Sequence, residues 1–371
     1  MIFIKTVRDL LLAPLQSVSG IVEKRHTLPV LSNVLLEKKG NKLTFLATDI
    51  EIQITTSADI SDDEHNDISV TVSAKKLQDI LRSLPEGSEV TVSLEEKRLQ
   101  IKAGKSRFNL LTLPAEDFPR MSIAGTEPKK IEVSQRKLRH LLGQTQFAMA
   151  SQDVRYYLNG LLLLVDAGEL RAVATDGHRL SYASMALDEQ ISIPKQELIL
   201  PRKTVLELNR LLADNDNLVQ IEIMSNQVRF EFGNIVLVSK LIDGKFPDYE
   251  RVIPKNLKNM IALNRVALLQ SLNRVAILTN EKFRGVRLIL TPGILKIVAA
   301  NQEHEEAQEE IEVDYSGEVI DIGFNVGYLL DMLNNATVES IEWGFDDSSS
   351  SALLSLPGNA HFKYVVMPMR I

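Results

Sequence analysis

Three observations predict an α+β protein made of three tandem copies of one unit. A seven-residue string recurs at nearly equal steps. Each step holds two helical stretches with apolar residues every three or four positions, and short alternating strand patterns fill the rest. Leu43-Thr-Phe-Leu-Ala-Thr-Asp49 returns as Leu170-Arg-Ala-Val-Ala-Thr-Asp176, 127 positions on, and more loosely as Leu295-Lys-Ile-Val-Ala-Ala-Asn301 after 125 more. Asn33-Val-Leu-Leu36 answers to Asn159-Gly-Leu-Leu162 and to Arg284-Gly-Val-Arg287. Ala74-Lys-Lys76 answers to Pro201-Arg-Lys203 and Asn325-Val-Gly327, and Phe118-Pro119 to Phe246-Pro247. A third of 371 residues is about 124, so three copies account for the length of the chain.

Within each copy the elements keep one order. A first helix is predicted over 7–22, 135–149 and 265–278, with Leu138, Leu141, Leu142 and Thr145 marking the buried stripe of the second copy. Strands follow, alternating through Leu43 and Phe45 and then Ile50, Ile52 and Ile54. A second helix is predicted over 74–84, 202–213 and 326–335, and further antiparallel strands turn at Pro85-Glu-Gly87 and Asp243-Gly244. Proline and polar residues gather at Gly125-Thr-Glu-Pro128 and at Pro254-Lys-Asn256, which sets domains at 1–125, 129–250 and 251–371.

Composition narrows the class. Hydrophobic residues are 44% and charged residues 25%, the balance of a globular chain with a sizeable core. With no cysteine there is no disulfide, no thiolate metal site and no cysteine nucleophile. The longest apolar run, 161–165, is far short of the roughly 18 residues that span a bilayer. Met1-Ile-Phe-Ile-Lys5 has no signal-peptide pattern, so a cytoplasmic protein is expected.

The net charge is −7, but the six predicted helices with their flanking residues, counted over 6–25, 74–84, 134–150, 201–213, 264–278 and 325–336, together carry +9, which leaves −16 for the remainder. Lys and Arg are good helix formers whose stems cover apolar surface, so basic helices can be no more than a solvated face. The same segregation also suits a basic helical surface on an acidic body, touching a polyanion through its phosphates without reading bases.

Candidate chemistry is sparse. Asp176 and His178 share one turn, but no matching His or carboxylate cluster supplies the three or four ligands a metal needs, so the motif reads as a structured turn with an exposed arginine, Arg179. Asp49 and Glu51 stand on one strand face as in some metal-dependent nucleases, yet the other copies read Asp176-Gly-His178 and Asn301-Gln-Glu303. His304-Glu-Glu306 with Glu309 and Glu310 reads as a solvated acidic run. No phosphate-loop, dinucleotide, zinc-protease or nucleophile-elbow motif occurs. Gln152-Asp-Val-Arg-Tyr-Tyr157 joins Arg155 to paired aromatics after the most basic helix, a combination that suits nucleic-acid backbone and bases or simply a strand start with a buried tyrosine. Tyr364-Val-Val-Met-Pro-Met-Arg370 is apolar almost throughout, as in a last core strand or an adaptable methionine-rich peptide surface.

At these residues a family resemblance enters. Gln152-Asp-Val-Arg-Tyr-Tyr-Leu-Asn-Gly160, Ala174-Thr-Asp-Gly-His-Arg-Leu180, Phe246-Pro-Asp-Tyr249, Asn280-Glu-Lys-Phe-Arg-Gly-Val-Arg287, Gly323-Phe-Asn-Val326 and Val365-Val-Met-Pro-Met-Arg370 closely resemble the bacterial DNA polymerase III beta sliding clamps, along the whole chain. The resemblance implies a ring-forming DNA clamp fold, helices inside and sheets outside, closed head to tail by two protomers. It implies a processivity factor, the non-catalytic subunit of a DNA-directed DNA polymerase (a nucleotidyltransferase), with no catalytic residue, metal or cofactor. Its partners would be encircled duplex DNA, a second copy of the chain, the clamp loader complex, the polymerase III alpha subunit, and other polymerases and repair proteins bearing short linear motifs. No membrane is involved, and the place is the cytoplasm, at the nucleoid.

Carried over by position, the DNA-facing set is Arg25, Lys75, Arg82, Gln152, Tyr156, Tyr157, Arg202 and Arg251. The partner-peptide pocket is Leu158, Thr175, Gly177, His178, Leu180, Pro247, Val252, Asn325, Tyr328, Val365, Met367, Pro368, Met369 and Arg370. The dimer contact sets Phe108 and Leu110 against Ile277 and Leu278. Lys75 stands where the family commonly has Arg, and Asp346-Asp-Ser-Ser-Ser-Ser351 is more polar than the family pattern, leaving Ser349 and Ser351 unassigned. A metal-dependent nuclease using Asp49, Glu51 or Asp176 and a pure protein scaffold remain the other classes. An unbroken sheet edge at each end of a repeat array favours ring closure, which removes both edges.

Overall fold

The computed structural model describes residues 2–23, 28–60, 67–122, 127–187 and 193–371. They form two compact units, one of residues 1–136 and 206–241 and the other of 137–205 and 242–371. Among the described residues six α-helices fall where the apolar spacing puts them: α1 (Arg8–Ser19), α2 (Ala74–Ser83), α3 (Gln135–Gly143), α4 (Arg202–Leu211), α5 (Arg265–Val275) and α6 (Val326–Asn335). The first helices are shorter than the sequence pattern suggests. After α3 and α5 the chain tightens into single 3-10 turns at Gln146–Ala148 and Ala276–Leu278, which keep the apolar stripe but end the α ladder.

The first unit holds one twelve-stranded antiparallel sheet running from Ile2–Val7 at one edge to Lys129–Ser134 at the other. Leu11, Leu15 and Val18 of α1 and Leu77 and Leu81 of α2 fill its core. The second unit has an eight-stranded sheet and a four-stranded sheet, the latter in the order Glu306–Glu312, Ile294–Ala300, Gly285–Thr291, Ile320–Asn325. The sheets do not respect the sequence repeats. In the first unit Ile52–Asp59 of copy one pairs antiparallel with Ile235–Lys240 of copy two, in register from Ile52 opposite Ser239 to Thr56 opposite Val236's neighbour Ile235. In the second unit the corresponding strands of the next copies repeat the joint, with Arg179 opposite Val366 through Ala183 opposite Phe362. Because neighbouring copies share a backbone ladder, compact units and sequence copies have different bounds.

The alternation through Ile50, Ile52 and Ile54 is interrupted. Strands Lys42–Thr48 and Ile52–Asp59 are joined by a turn, and Ile50 sits in it at φ +79°, exposed rather than buried. The second copy places Gly177 there at φ +89°, where the left-handed backbone costs glycine nothing.

An arginine near the start of the first helix recurs as a clamp. Arg8 Nε donates to Leu81 O at 2.8 Å, in the last turn of α2. Arg136 donates to Asp214 Oδ1 at 2.8 Å and to Asp214 O, just after α4. Arg265 Nε and a terminal nitrogen donate to Val338 O at 2.7 Å and Leu333 O at 2.9 Å, at the end of α6. Helix ends leave carbonyls without intrahelical partners, and a guanidinium is the side chain that satisfies two at once. Arg265→Ala should therefore cost about 2 kcal/mol, since both carbonyls lose their donor. Arg274→Ala, which removes a surface pair with Glu309 and a 3.2 Å bond to Ser271 Oγ, should cost less than about 1 kcal/mol. Urea denaturation giving equal losses for the two variants would refute the clamp.

Candidate functional site

The repeated Ala-Thr-Asp string is a hairpin turn. Thr175 Oγ1 donates to Arg179 O at 2.6 Å and accepts from Gly177 N, while Asp176 Oδ1 accepts from the amides of His178 and Arg179. Thr48 and Asp49 make the same bonds to Ile52 O, Ile50 N, Glu51 N and Ile52 N. In the third copy Asn301 Oδ1 accepts from the amides of Glu303 and Glu305. The aspartates that suggested a nuclease are therefore held in turn geometry. Among the described residues, no three His, Asp or Glu side chains are grouped to hold a metal ion.

In the second unit this turn meets the C-terminal tail. Leu180 lies directly opposite Val365 in the ladder, and both are buried with Leu162, Val173, Phe246 and Tyr249 in one cluster. Pro247 and Val252 flank that cluster in sequence and are exposed, Val252 by 45%. Beyond the strand Asn359–Val366, the tail is stitched twice: Met367 N donates to His178 O and Met369 N to Gly323 O, each at 2.9 Å. Met367 is half-exposed, Pro368 and Met369 are partly buried, and Arg370 is exposed. Asn325 caps α6 by accepting from the amides of Gly327 and Tyr328. Leu158 is buried, its amide bonded to Arg155 O.

Arg179 ties these parts together, and it corrects the expectation of an exposed arginine on this turn: its side chain is buried, 9% exposed. Its guanidinium donates to Asp176, to Asp331 at 2.6 Å and to Phe147 O at 2.7 Å, and it stacks over the Tyr328 ring at 4.4 Å. Burial opposes its charge, but Tyr364, Asp331 and Asp176 outweigh that and hold its pKa above the usual arginine value. Tyr364 is fully buried, donates to Tyr328 O at 2.9 Å, and is pushed up by burial. The signal was available: Arg179 occupies the position where the first copy has Ile52, which is 1% exposed. A cation where a sibling copy buries isoleucine needs partners. His178, Gln152, Arg202 and Tyr328 line one cleft with Arg179, Asp176 and Asp331. Ser349, by contrast, is spent on Asp347, donating to it through both its amide and its hydroxyl.

The cations expected to face DNA are distributed over both units. Arg25 lies outside the described residues. Lys75 and Arg82 are exposed on α2, Lys75 at 3.6 Å from Asp79. In the second unit Gln152 is exposed at φ +59°, and Tyr156 and Tyr157 meet edge to face at 5.8 Å with Tyr156 the more exposed. Arg202 is partly buried and donates to Met149 O at 3.0 Å, and Arg251 is exposed beside Asp248 at 2.8 Å. In the first unit Phe108 and Leu110 lie on the strand Ser106–Leu113, Leu110 buried and Phe108 partly so. In the second, Ile277 is 77% exposed beside the partly buried Leu278.

Arg155 folds over Gly177, donating to Asp176 O at 3.2 Å and twice to the Asp153 carboxylate. The Arg155 side chain, helped by its amide, draws the Asp153 carboxyl down from 3.8 to about 2. A carboxyl lowered in the folded state adds stability above its unfolded value and loses it as pH falls through the folded one. The loop should therefore be fully held above about pH 4 and released toward pH 2. In Arg155→Gln, an NMR titration should find Asp153 raised toward 3.8 but still below it, because the amide of residue 155 stays in place, and an unchanged low value would refute the pairing.

Comparison with known proteins agrees with this geometry. Three family models match in order, the N-terminal, central and C-terminal domains of the DNA polymerase III beta subunit, over residues 2–122, 132–248 and 250–370. The chain is 49% identical over 364 residues to the beta sliding clamp of Pseudomonas putida and 45% identical to that of Escherichia coli, covering 98% of each chain in both cases. Among solved structures, the DNA polymerase III beta subunit of Pseudomonas aeruginosa matches with TM-score 0.93 at 47% identity over the full length of both chains. The Bartonella birtlesii sliding clamp bound to griselimycin matches with TM-score 0.93 at 37% identity over 99% of each. With three clamp domains and a full-length match in sequence and fold, the chain belongs to the DNA polymerase III beta-subunit family, the sliding clamps that serve DNA polymerase as processivity factors.

Proposed function

We propose that two copies of this chain, each divided at 1–125, 129–250 and 251–371, close head to tail into a ring around duplex DNA. A clamp loader opens the ring. It slides without reading sequence, has no catalytic step of its own, and tethers the polymerase III alpha subunit and other polymerases and repair proteins by short peptides docked on the tail. The cytoplasm, at the nucleoid, is its place of work. No helix among the described residues is long and apolar enough to cross a membrane.

The observation that carries this reading is the strand joint used twice, Ile52–Asp59 with Ile235–Lys240 and Arg179–Ala186 with Asn359–Val366. Each joint takes the same two strands of neighbouring copies. One of each is left over: Glu306–Glu312 pairs only with Ile294–Ala300, and Ser106–Leu113 reaches Ile68–Ser73 only through Thr112 and Leu113. Two open edges of complementary kind invite pairing with another chain. Their charges match as well. Arg107 lies on Ser106–Leu113, with Lys105 in the turn before it and Arg98 and Lys102 on the adjoining strand, while Glu306, Glu309 and Glu310 lie on Glu306–Glu312 with Glu305 just before it. Carrying the joint's register across sets Arg107 opposite Gln308, with Glu306 and Glu310 on the same face.

DNA contact would fall to diffuse cations. Lys76, Arg82 and Arg139 are exposed helix residues with no ion-pair partner among the described residues. Such contacts are sequence-blind and weaken steeply with salt, as sliding requires.

Three experiments test the reading. Arg107→Glu should raise the dimer dissociation constant about tenfold or more, because two interfaces per ring each lose about 1 kcal/mol, and Glu310→Arg in the same chain should recover most of it. Analytical ultracentrifugation finding the single variant as dimeric as wild type would remove these edges from the interface. Rings loaded on nicked circular DNA should survive salt that strips the protein from linear duplex, and should run off once the circle is cut; equal loss from both would sink encirclement. Truncation after Val366 keeps the strand ladder and removes only Met367 to Ile371. The truncated protein should stay dimeric yet lose fluorescence-anisotropy binding of a Gln-Leu-x-Leu-Phe peptide, since each buried apolar side chain is worth roughly 1.5 to 3 kcal/mol.

A further inference from the structure

The tail beyond Val366 has no ladder of its own, yet it follows a fixed path. Its two stitches lie two residues apart on different sheets, Met367 to His178 O at the end of the eight-stranded sheet and Met369 to Gly323 O in the four-stranded one. The second stitch needs the tail backbone to lie almost on the strand Ile320–Asn325. A Cβ at Gly323 would stand 2.5 Å from Met369 O and 2.7 Å from Ile371 Cδ1. Gly285, on the adjacent strand, lies on the same face, because Gly285 pairs with Asn325 and Arg287 with Gly323. A Cβ there would stand 3.0 Å from Ile371 Cδ1 and touch no backbone of the tail. Neither glycine has a positive φ, so turn geometry does not require them. What requires glycine is the closeness of the tail. Ile371 is 64% exposed, so shape and the Met369 bond to Gly323 O hold this end of the tail rather than burial.

We propose that Gly323, with Gly285 as a lesser wall, is a positioning residue for partner binding: it seats the tail so that Met367, Pro368 and Met369 are presented in one fixed arrangement. The proposal rests on the peptide-dock reading above and adds the residue that sets the dock's shape. A preformed tail spares an incoming peptide the cost of ordering it. At Gly323 the clash is with backbone, which cannot rotate away, whereas at Gly285 it is with the tip of a flexible side chain, which can.

The test uses the full-length dimer and a fluorescent Gln-Leu-x-Leu-Phe peptide. Gly323→Ala should weaken the peptide at least tenfold and speed amide exchange at Met369, with sedimentation and melting temperature close to wild type. Gly285→Ala should stay within about twofold of wild type. Ile371→Ser empties the seat without touching the sheet and should weaken the peptide several-fold. Wild-type affinity in folded Gly323→Ala overturns the proposal, and if that variant does not fold, wild-type affinity in Ile371→Ser does so instead. The chain truncated after Val366 separates the two readings. Full peptide binding without the tail refutes the dock itself. Lost binding there, beside unchanged binding in Gly323→Ala, refutes only the seat.

Discussion

One interaction governs the architecture: the antiparallel ladder between a strand of one copy and the strand that closes the next. Three copies of an α+β unit could have packed as separate globules joined by linkers. Here Ile52–Asp59 with Ile235–Lys240, and Arg179–Ala186 with Asn359–Val366, make the joints out of backbone hydrogen bonds, which take any sequence of suitable length and fix register residue by residue. A joint of this kind reproduces itself. It also leaves its two halves unsatisfied at the ends of the array, an acidic one at Glu306–Glu312 and one at Ser106–Leu113 whose cations are Arg107 and those of the adjoining turn and strand, so the chain's demand for a partner follows from the way its own copies are joined.

The second joint also builds the candidate dock. It brings Leu180 against Val365, carries the tail past the His178 turn, and places Arg179 beside Asp176, Asp331 and the Tyr328 ring. The first joint has the same strands but none of this chemistry, because Ile52 stands where Arg179 does and the chain after Lys240 runs on to Phe246. A structural connection was elaborated at one of its two occurrences.

Charge has two uses that a count cannot separate. The excess of cations on the helices suggested a polyanion surface, yet Arg8, Arg136 and Arg265 hold the ends of neighbouring helices and Arg274 is paired with Glu309. The cations left for a phosphate backbone are fewer and more scattered than the net charge implies. That suits a protein meant to hold DNA loosely, because each further phosphate contact would slow sliding.

The sequence by itself determined the three copies, the six helices, the antiparallel strands and the family, since periodic apolar spacing and a repeated turn string are local properties that survive in one dimension. The family resemblance also grouped Leu180 with Val365, and the ladder sets the two directly opposite one another. The sequence could not place Ile50, whose apolar character fits a strand while its φ of +79° belongs to the turn that Thr48 and Asp49 impose. Nor could it distinguish Arg265, a helix clamp, from Arg82, an exposed cation, because the two differ only in which carbonyls lie within reach. Tertiary structure decided Arg179, partnered by groups up to 152 positions away, and the closeness of Gly323 to Met369 O. Long-range electrostatic partners and close backbone approaches have no period along the chain. They exist only once the ladder has set which copy lies beside which.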